Sequence, residues 1–156
     1  MITSLLLPSS ITLLLFSMPV TLAAGACSLL TAADIENAMK AKVVKRTPSS
    51  TRTETGCTYD VGQQKVILSY FTDLNGGPKA KSMKDDPFMH GISPGPNVKD
   101  YGNTGCKITD AGILFSTNCN HYQPRWLHIA VQTHAGIPIS IDTVKSLLDK
   151  AASRFR

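Results

Sequence analysis

The clearest pattern in the chain is an alternation of side-chain character between residues 125 and 133. Three apolar positions, Leu127, Ile129 and Val131, alternate with polar or aromatic ones, as in a strand that buries one face. Because successive side chains of a strand point to opposite sides, we expect Trp126 and His128 on the face away from the core.

A helical periodicity follows over residues 140–155. Ser140 can cap this helix, and Asp142 places a negative charge in its first turn. The apolar positions repeat at helical spacing and predict an amphipathic C-terminal helix. Its apolar face consists of Ile141, Val144, Leu148, Ala151 and Phe155.

Weaker patterns predict the remaining elements. Thr31 is a good N-cap with Asp34 three residues later, which predicts a short N-terminal helix, and the basic segment 78–84 predicts a short middle helix. Pro48 and the turn residues 75–78 separate strands. One further strand is predicted to begin at Val43 and to end at Pro48. Four others are predicted over residues 56–61, 64–72, 105–109 and 113–119, with a hairpin turn at residues 62–63 between the first two.

This order of elements predicts an α+β fold. A mainly antiparallel sheet of about five to six strands is expected, with N-terminal, middle and C-terminal helices packed on one face. The two halves of the chain look alike, because each has three strands followed by a helix. A chain of 156 residues that is 42% hydrophobic and 17% charged can build one hydrophobic core, so residues 25–156 are expected to form a single domain.

The first 24 residues carry no charged side chain and are expected to lie outside the fold. The apolar run 11–16 and the small residues 23–26 are typical of a secretory signal peptide. We predict a signal peptide over residues 1–24 with cleavage near residues 23–26. The mature protein is then periplasmic or secreted, with no transmembrane segment. The alternative is a loose lipobox, through which a lipidated Cys27 would anchor the protein to a membrane.

The four cysteines are expected to form disulfides in an exported protein, and four cysteines allow three pairings. We favour Cys106 with Cys119, because they flank a predicted hairpin, and Cys27 with Cys57, which would join the N-terminus to a strand. A metal site is the alternative. No pair of cysteines has the C-x₂-C spacing, and no histidine lies at helical spacing from another, so we expect no metal and no cofactor.

Two cysteine motifs resemble a known group of proteins. The opening Cys-Ser-Leu-Leu-Thr at residues 27–31 and the Cys-Thr-Tyr at residues 57–59 resemble a family of bacterial exported proteins and lipoproteins of unknown function. The chain is also similar to the extracellular sensor domains of mycobacterial serine/threonine kinases. The resemblance implies an α+β exported domain that binds or senses something, and it brings no catalytic motif to this chain.

One motif suggests catalysis, but its surroundings argue against it. Residues 91–95 match the G-x-S-x-G pattern of a hydrolase nucleophile elbow, with Ser93 as the nucleophile. Pro94 has no backbone N–H to donate to an oxyanion, so we expect no enzymatic activity. The adjacent Asp85 and Asp86 are expected in a solvated turn. Four histidines are expected at the surface or at a rim, namely His90, His121, His128 and His134.

The segment 120–128 is the richest in polar and aromatic residue types that dominate binding interfaces. We predict that Tyr122, Arg125, Trp126 and His128 form or border a partner-binding surface. Coverage of Trp126 by a helix or a second layer is the alternative. The chain has a net charge of +5, which favours an anionic partner. Its two basic clusters contain Lys79, Lys81 and Lys84, and Lys40, Lys42, Lys45 and Arg46.

These observations predict a non-enzymatic exported binding protein that recognises another protein or an anionic component of the cell envelope. Nucleic acid is a poor partner for an exported protein. An inhibitor or immunity protein that neutralises an envelope-active toxin or hydrolase is one form of this function. Two alternatives stay open: a small-ligand sensing domain, as the resemblance implies, and a small secreted hydrolase.

Overall fold

The computed structural model describes residues 25–72, 79–87, 89, 95–134, 136 and 138–155. The predicted signal peptide, Ser93 and His90 lie outside these residues. The helices are α1 (Ala26–Leu29), α2 (Ala32–Met39) and α3 (Ile141–Arg154). The strands are β1 (Val43–Ser50), β2 (Glu54–Val61), β3 (Gln64–Phe71), β4 (Val98–Asp100), β5 (Thr104–Asp110), β6 (Leu114–His121) and β7 (Leu127–His134).

The strands form one antiparallel sheet in the order β1-β2-β3-β7-β6-β5-β4. Each half of the chain builds its own run of neighbouring strands, and the two runs meet where β3 pairs with β7 at the centre of the sheet. The α+β class and the antiparallel sheet are confirmed. The predicted count of five to six strands is too low, because the sheet also contains β4, a three-residue edge strand too short to show an alternating pattern.

The predicted middle helix over residues 78–84 is wrong. Residues 79–87 form bends and turns, in which the Asp85 N–H donates to the Ser82 carbonyl at 3.2 Å and the Met89 N–H donates to the Asp86 carbonyl at 2.9 Å. Ala80 and Met83 are buried, although their segment has no regular structure. Tertiary packing, and not helical periodicity, decides this conformation, and the two halves of the chain do not repeat each other.

The N-terminal region differs from the prediction in two details. It contains two helices instead of one, and the second begins with a capping box in which the Thr31 and Asp34 side chains each accept from the other residue's backbone N–H. The first strand continues through Pro48, where the sequence predicts its end. Proline is tolerated there because β1 is an edge strand of the sheet.

Both predicted disulfides are present. Cys27 of α1 is bonded to Cys57 of β2, and Cys106 is bonded to Cys119, its direct partner across β5 and β6. The second bridge joins residues 13 positions apart, and a crosslink that closes a loop of that length stabilises a fold by about 3 kcal/mol. The two bridges therefore fasten both halves of the sheet at their helix-covered face.

All three helices cover one face of the sheet and bury its apolar side chains. The hydroxyl of Tyr59, beneath α1, donates to the Leu30 carbonyl at 2.7 Å, and Arg154 of α3 forms an ion pair with the buried Asp34 of α2. Helix α3 buries Ile141, Val144, Leu147, Leu148 and Ala151. No helix among the described residues is long and apolar enough to cross a membrane. The hydrophobic core therefore lies between the helices and this face of the sheet.

Candidate functional site

The outer face, defined here as the side of the sheet opposite the helices, carries a row of polar side chains. Ser69 of β3 lies opposite His128 of β7, and His128 lies opposite Asn120 of β6. A pocket of about 400 Å³ opens at this row, within the size range of small-molecule sites. Its other lining residues are Glu54, Phe71, Met89, Lys107, Asn118 and Trp126.

The segment 79–89, all of whose residues except residue 88 are described, packs against the outer face beside the pocket through Ala80, Met83 and Met89. Its buried residues Ala80, Met83 and Met89 form a small apolar cluster with Tyr122. Gly105 of β5 permits this close approach, since a Cβ atom there would lie 2.8 Å from Met83 Cγ and 2.5 Å from the Tyr122 hydroxyl oxygen. The segment therefore lies directly on β5 and supplies one wall of the pocket through Met89.

A buried carboxylate connects this segment to the sheet. Asp86 is fully buried, and its Oδ2 accepts from Asn120 Nδ2 at 2.6 Å and from the Tyr122 hydroxyl at 3.0 Å. Asn120 Oδ1 in turn lies 2.6 Å from His128 Nδ1. Because the amide NH₂ of Asn120 faces the carboxylate, its oxygen is left to accept from the imidazole. The Asp86 network, meaning Asp86, Asn120, Tyr122 and His128, holds the His128 ring in one orientation.

The environment of His128 keeps its ring neutral at physiological pH. Burial lowers the pKa of His128 to about 4, and the positive charge of Lys107 acts in the same direction. The negative charges of Glu54 and Asp86 oppose this effect without cancelling it. In the neutral ring the proton lies on Nδ1, which donates to Asn120, so Nε2 carries the lone pair. The pocket therefore contains an oriented hydrogen-bond acceptor.

Trp126 forms the aromatic wall of the pocket. Its ring stacks on His128 with centroids 5.7 Å apart and contacts Phe71 at 5.1 Å in a tilted arrangement. The indole Nε1 is buried and has no hydrogen-bond partner within the described part of the chain. A buried donor without a partner is uncommon and destabilising, so this N–H is an unsatisfied polar group in a residue that lines the pocket.

The structure separates the four residues predicted to recognise a partner. Trp126 and His128 both line the pocket, and both lie on the face of the sheet opposite the helices, as the alternation predicts. Tyr122 is buried beside them and supports the Asp86 network instead of contacting solvent. Arg125 is exposed and lies over the Phe155 ring at 5.1 Å, outside the pocket. Trp126 is covered by Phe71 and the 79–89 cluster, and not by a helix.

The remaining candidate residues do not add to the pocket. The basic residues of both predicted clusters are exposed, and none of them lines the pocket. Lys42 forms an exposed ion pair with Glu36 at 3.1 Å. No group of three His, Cys, Asp or Glu side chains in the described ranges could hold a metal ion.

The prediction that Asp86 lies in a solvated turn is wrong. Asp85, its neighbour, is exposed as expected, whereas Asp86 is fully buried and bonded to two residues more than 30 positions away. Two adjacent carboxylates carry no local signal that distinguishes these environments. Only the long-range packing of segment 79–89 reveals which of the two faces inward.

Comparison with models of known protein families, with curated protein sequences and with solved structures finds no match. The resemblance to exported sensor domains therefore stays a prediction.

Proposed function

We propose that this chain is an exported, non-catalytic binding protein whose recognition site is the pocket on the outer face. The observation that carries the proposal is the Asp86 network, which holds an oriented acceptor on His128 beside the unpartnered indole N–H of Trp126. Buried polar groups arranged in a concave, partly aromatic site are typical of ligand recognition. The two disulfides favour an oxidising compartment outside the cytoplasm.

The shape of the site favours a small ligand over a protein partner. A flat surface centred on exposed Trp126 and Arg125 would support recognition of a protein. Instead, Trp126 belongs to a concave pocket, and Arg125 stacks on Phe155 at some distance from it. We therefore propose ligand sensing as the first function, and recognition of an envelope protein as the second.

The location of the pocket also supports a role without catalysis. Its floor is formed by β3, β7 and β6, each of which pairs with strands on both sides. The backbone N–H groups of such strands are used in the ladders, so this floor offers no pair of amides to stabilise an oxyanion. A neutral His128 can accept a hydrogen bond, but among the described residues no hydrogen bond links it to the hydroxyl of Ser69, the pocket serine that lies opposite it.

The single tryptophan of the chain makes the pocket directly observable. We expect the small-molecule filtrate of an envelope extract to change the fluorescence of Trp126 in a saturable way. Asn118→Phe, which fills the pocket, is expected to abolish this change. Gln132→Phe is the matched control, because residue 132 lies on the same outer face, outside the pocket.

Two results would contradict the proposal. One is a fluorescence change that persists unaltered in Asn118→Phe, and the other is the absence of any change with the filtrate in the wild type. In the second case, capture of a protein from the same extract by the wild type but not by Trp126→Ala would favour the second function.

A further inference from the structure

We infer that the pocket binds a small organic ammonium ion, that is, a protonated amine with an apolar body. This inference rests on the proposed function, because it names the ligand class of the same pocket. The ammonium group pairs with the Glu54 carboxylate, and the apolar body lies against the rings of Phe71 and Trp126. We call the part of the pocket formed by these three residues the Glu54 end.

Glu54 lines the pocket with a carboxylate that is available to a ligand. The residue is half-buried, and its backbone is held in place by Thr51, whose N–H donates to the Glu54 carbonyl at 2.7 Å. Among the described residues, none forms an ion pair with the Glu54 carboxylate. A half-buried charge attracts an opposite charge more strongly than an exposed one, because the effective dielectric constant around it is lower. A ligand cation is therefore the natural partner for this carboxylate.

Two aromatic rings lie beside this carboxylate. Glu54 is the direct partner of Phe71 across β2 and β3, and both side chains line the pocket. The Phe71 and Trp126 rings meet at 5.1 Å between their centroids, with an angle of 52° between their planes, and both residues are half-buried. The faces of aromatic rings carry partial negative charge, so they attract an ammonium group and also cover an apolar body. An anion would be repelled by the ring faces and by the carboxylate together.

The other charges around the pocket also favour a cation at the Glu54 end. At the neighbouring His128, the charges of Glu54 and Asp86 each favour a positive charge more strongly than Lys107 opposes it. Lys107 lies at the far end of the pocket and has an interaction of its own within the protein. The strand register places it four strands and four residues away from Glu54, which is about 19 Å across the sheet and about 13 Å along it. The Glu54 end is therefore negative, although the chain has a net charge of +5.

The test compares compounds that share an apolar body and differ in charge, with binding followed by calorimetry and by Trp126 fluorescence. At neutral pH phenethylamine is a cation, phenethyl alcohol is neutral, and hydrocinnamate is an anion of similar shape. We expect the amine to bind at least about tenfold more tightly than the alcohol, and the anion to bind more weakly than the alcohol. Hexylamine and hexanol repeat the comparison with an aliphatic body and should show the same preference for the amine.

Variants locate the ammonium group within the pocket. Glu54→Gln keeps the shape of the side chain and removes its charge, so the affinity for phenethylamine should fall to within about threefold of that for the alcohol. Glu54→Asp keeps the charge and should retain most of the preference. Phe71→Leu keeps an apolar side chain without a ring, so it should weaken the amine more than the alcohol. Asp60→Asn is the matched control and should change neither affinity, because Asp60 lies on the outer face of the same strand but outside the pocket.

Failure of this inference is distinguishable from failure of the proposed function. The ammonium assignment is overturned if neither amine binds below about 10 mM, if both amines bind no better than their alcohols, or if the preference for the amine survives unchanged in Glu54→Gln. The envelope filtrate provides an independent measurement, because a cation exchanger should retain the component that changes Trp126 fluorescence. A component that passes through the exchanger, with a response that Asn118→Phe abolishes, would support a ligand pocket and overturn the ammonium assignment.

Discussion

Lowering the pH below about 6.5 should destabilise the fold through His128. In the unfolded chain this imidazole has a pKa of about 6.5, whereas burial lowers its folded pKa to about 4. Between about pH 6.5 and about pH 4, the imidazole binds a proton in the unfolded chain but stays neutral in the folded protein. The folded protein therefore has its full stability above about pH 6.5 and loses part of it as the pH falls toward about 4.

The size of this effect follows from the two pKa values. Each unit of difference corresponds to about 1.4 kcal/mol, so His128 alone should cost about 2 kcal/mol of unfolding free energy at about pH 5 and about 3 kcal/mol at the acid limit. His121 also has a pKa lowered by burial and contributes with the same sign. A variant that removes only the His128 titration is therefore needed to isolate its share.

His128→Asn is the suitable variant, because an asparagine amide can keep an N–H near Asn120 Oδ1 but does not titrate. Urea unfolding at about pH 7.5 and about pH 5 should show the wild type losing about 2 kcal/mol more than this variant. His134→Asn, on an exposed residue at the end of the same strand, should retain the wild-type acid loss. Equal losses in the wild type and His128→Asn would refute the argument that burial keeps this ring neutral.

Three further substitutions test other contacts by urea unfolding. Asp86→Ala leaves buried groups such as the Asn120 amide without their acceptor and should cost about 2–3 kcal/mol; a neutral effect would contradict the network. Gly105→Ala brings a Cβ against Met83 and should lower the free energy of unfolding by about 1–3 kcal/mol. No loss of stability would show that the segment 79–89 does not pack on β5. Tyr59→Phe removes a hydrogen bond to a buried carbonyl and should cost about 1 kcal/mol, whereas a gain in stability would argue against that bond.

The parts of the fold that the sequence predicts well are those with strong local periodicity. The alternation along β7 correctly assigns Leu127 to the core and His128 to the other face, because a pleated strand allows only two faces. Helix α3 follows its predicted span within one or two residues, with the expected cap at Ser140. The Cys106–Cys119 disulfide follows from the predicted hairpin, since two cysteines that flank a short hairpin meet directly across it.

The parts that the sequence does not predict depend on contacts between distant segments. Pro48 ends a strand in most contexts, but at the sheet edge it costs no ladder hydrogen bond. The lysines of segment 79–84 permit a short helix, yet burial of Ala80 and Met83 on the outer face outweighs that weak local preference. Gly105 is the one residue in the sequence that marks this approach, and a glycine within a strand is equally typical of a bulge or a tight bend.

The stability of the fold and the geometry of the proposed binding pocket share one buried carboxylate. Asn120 and Tyr122 both donate to the buried Asp86, and these bonds help to hold the irregular segment 79–89 on the sheet. The Asn120 amide then has only its oxygen left to orient His128. A substitution that disturbs Asp86 should therefore have two effects at once. It should loosen the pocket wall that contains Met89, and it should free the His128 ring from its fixed orientation. The effects of such a change on folding and binding should not be additive, because both pass through the one amide of Asn120.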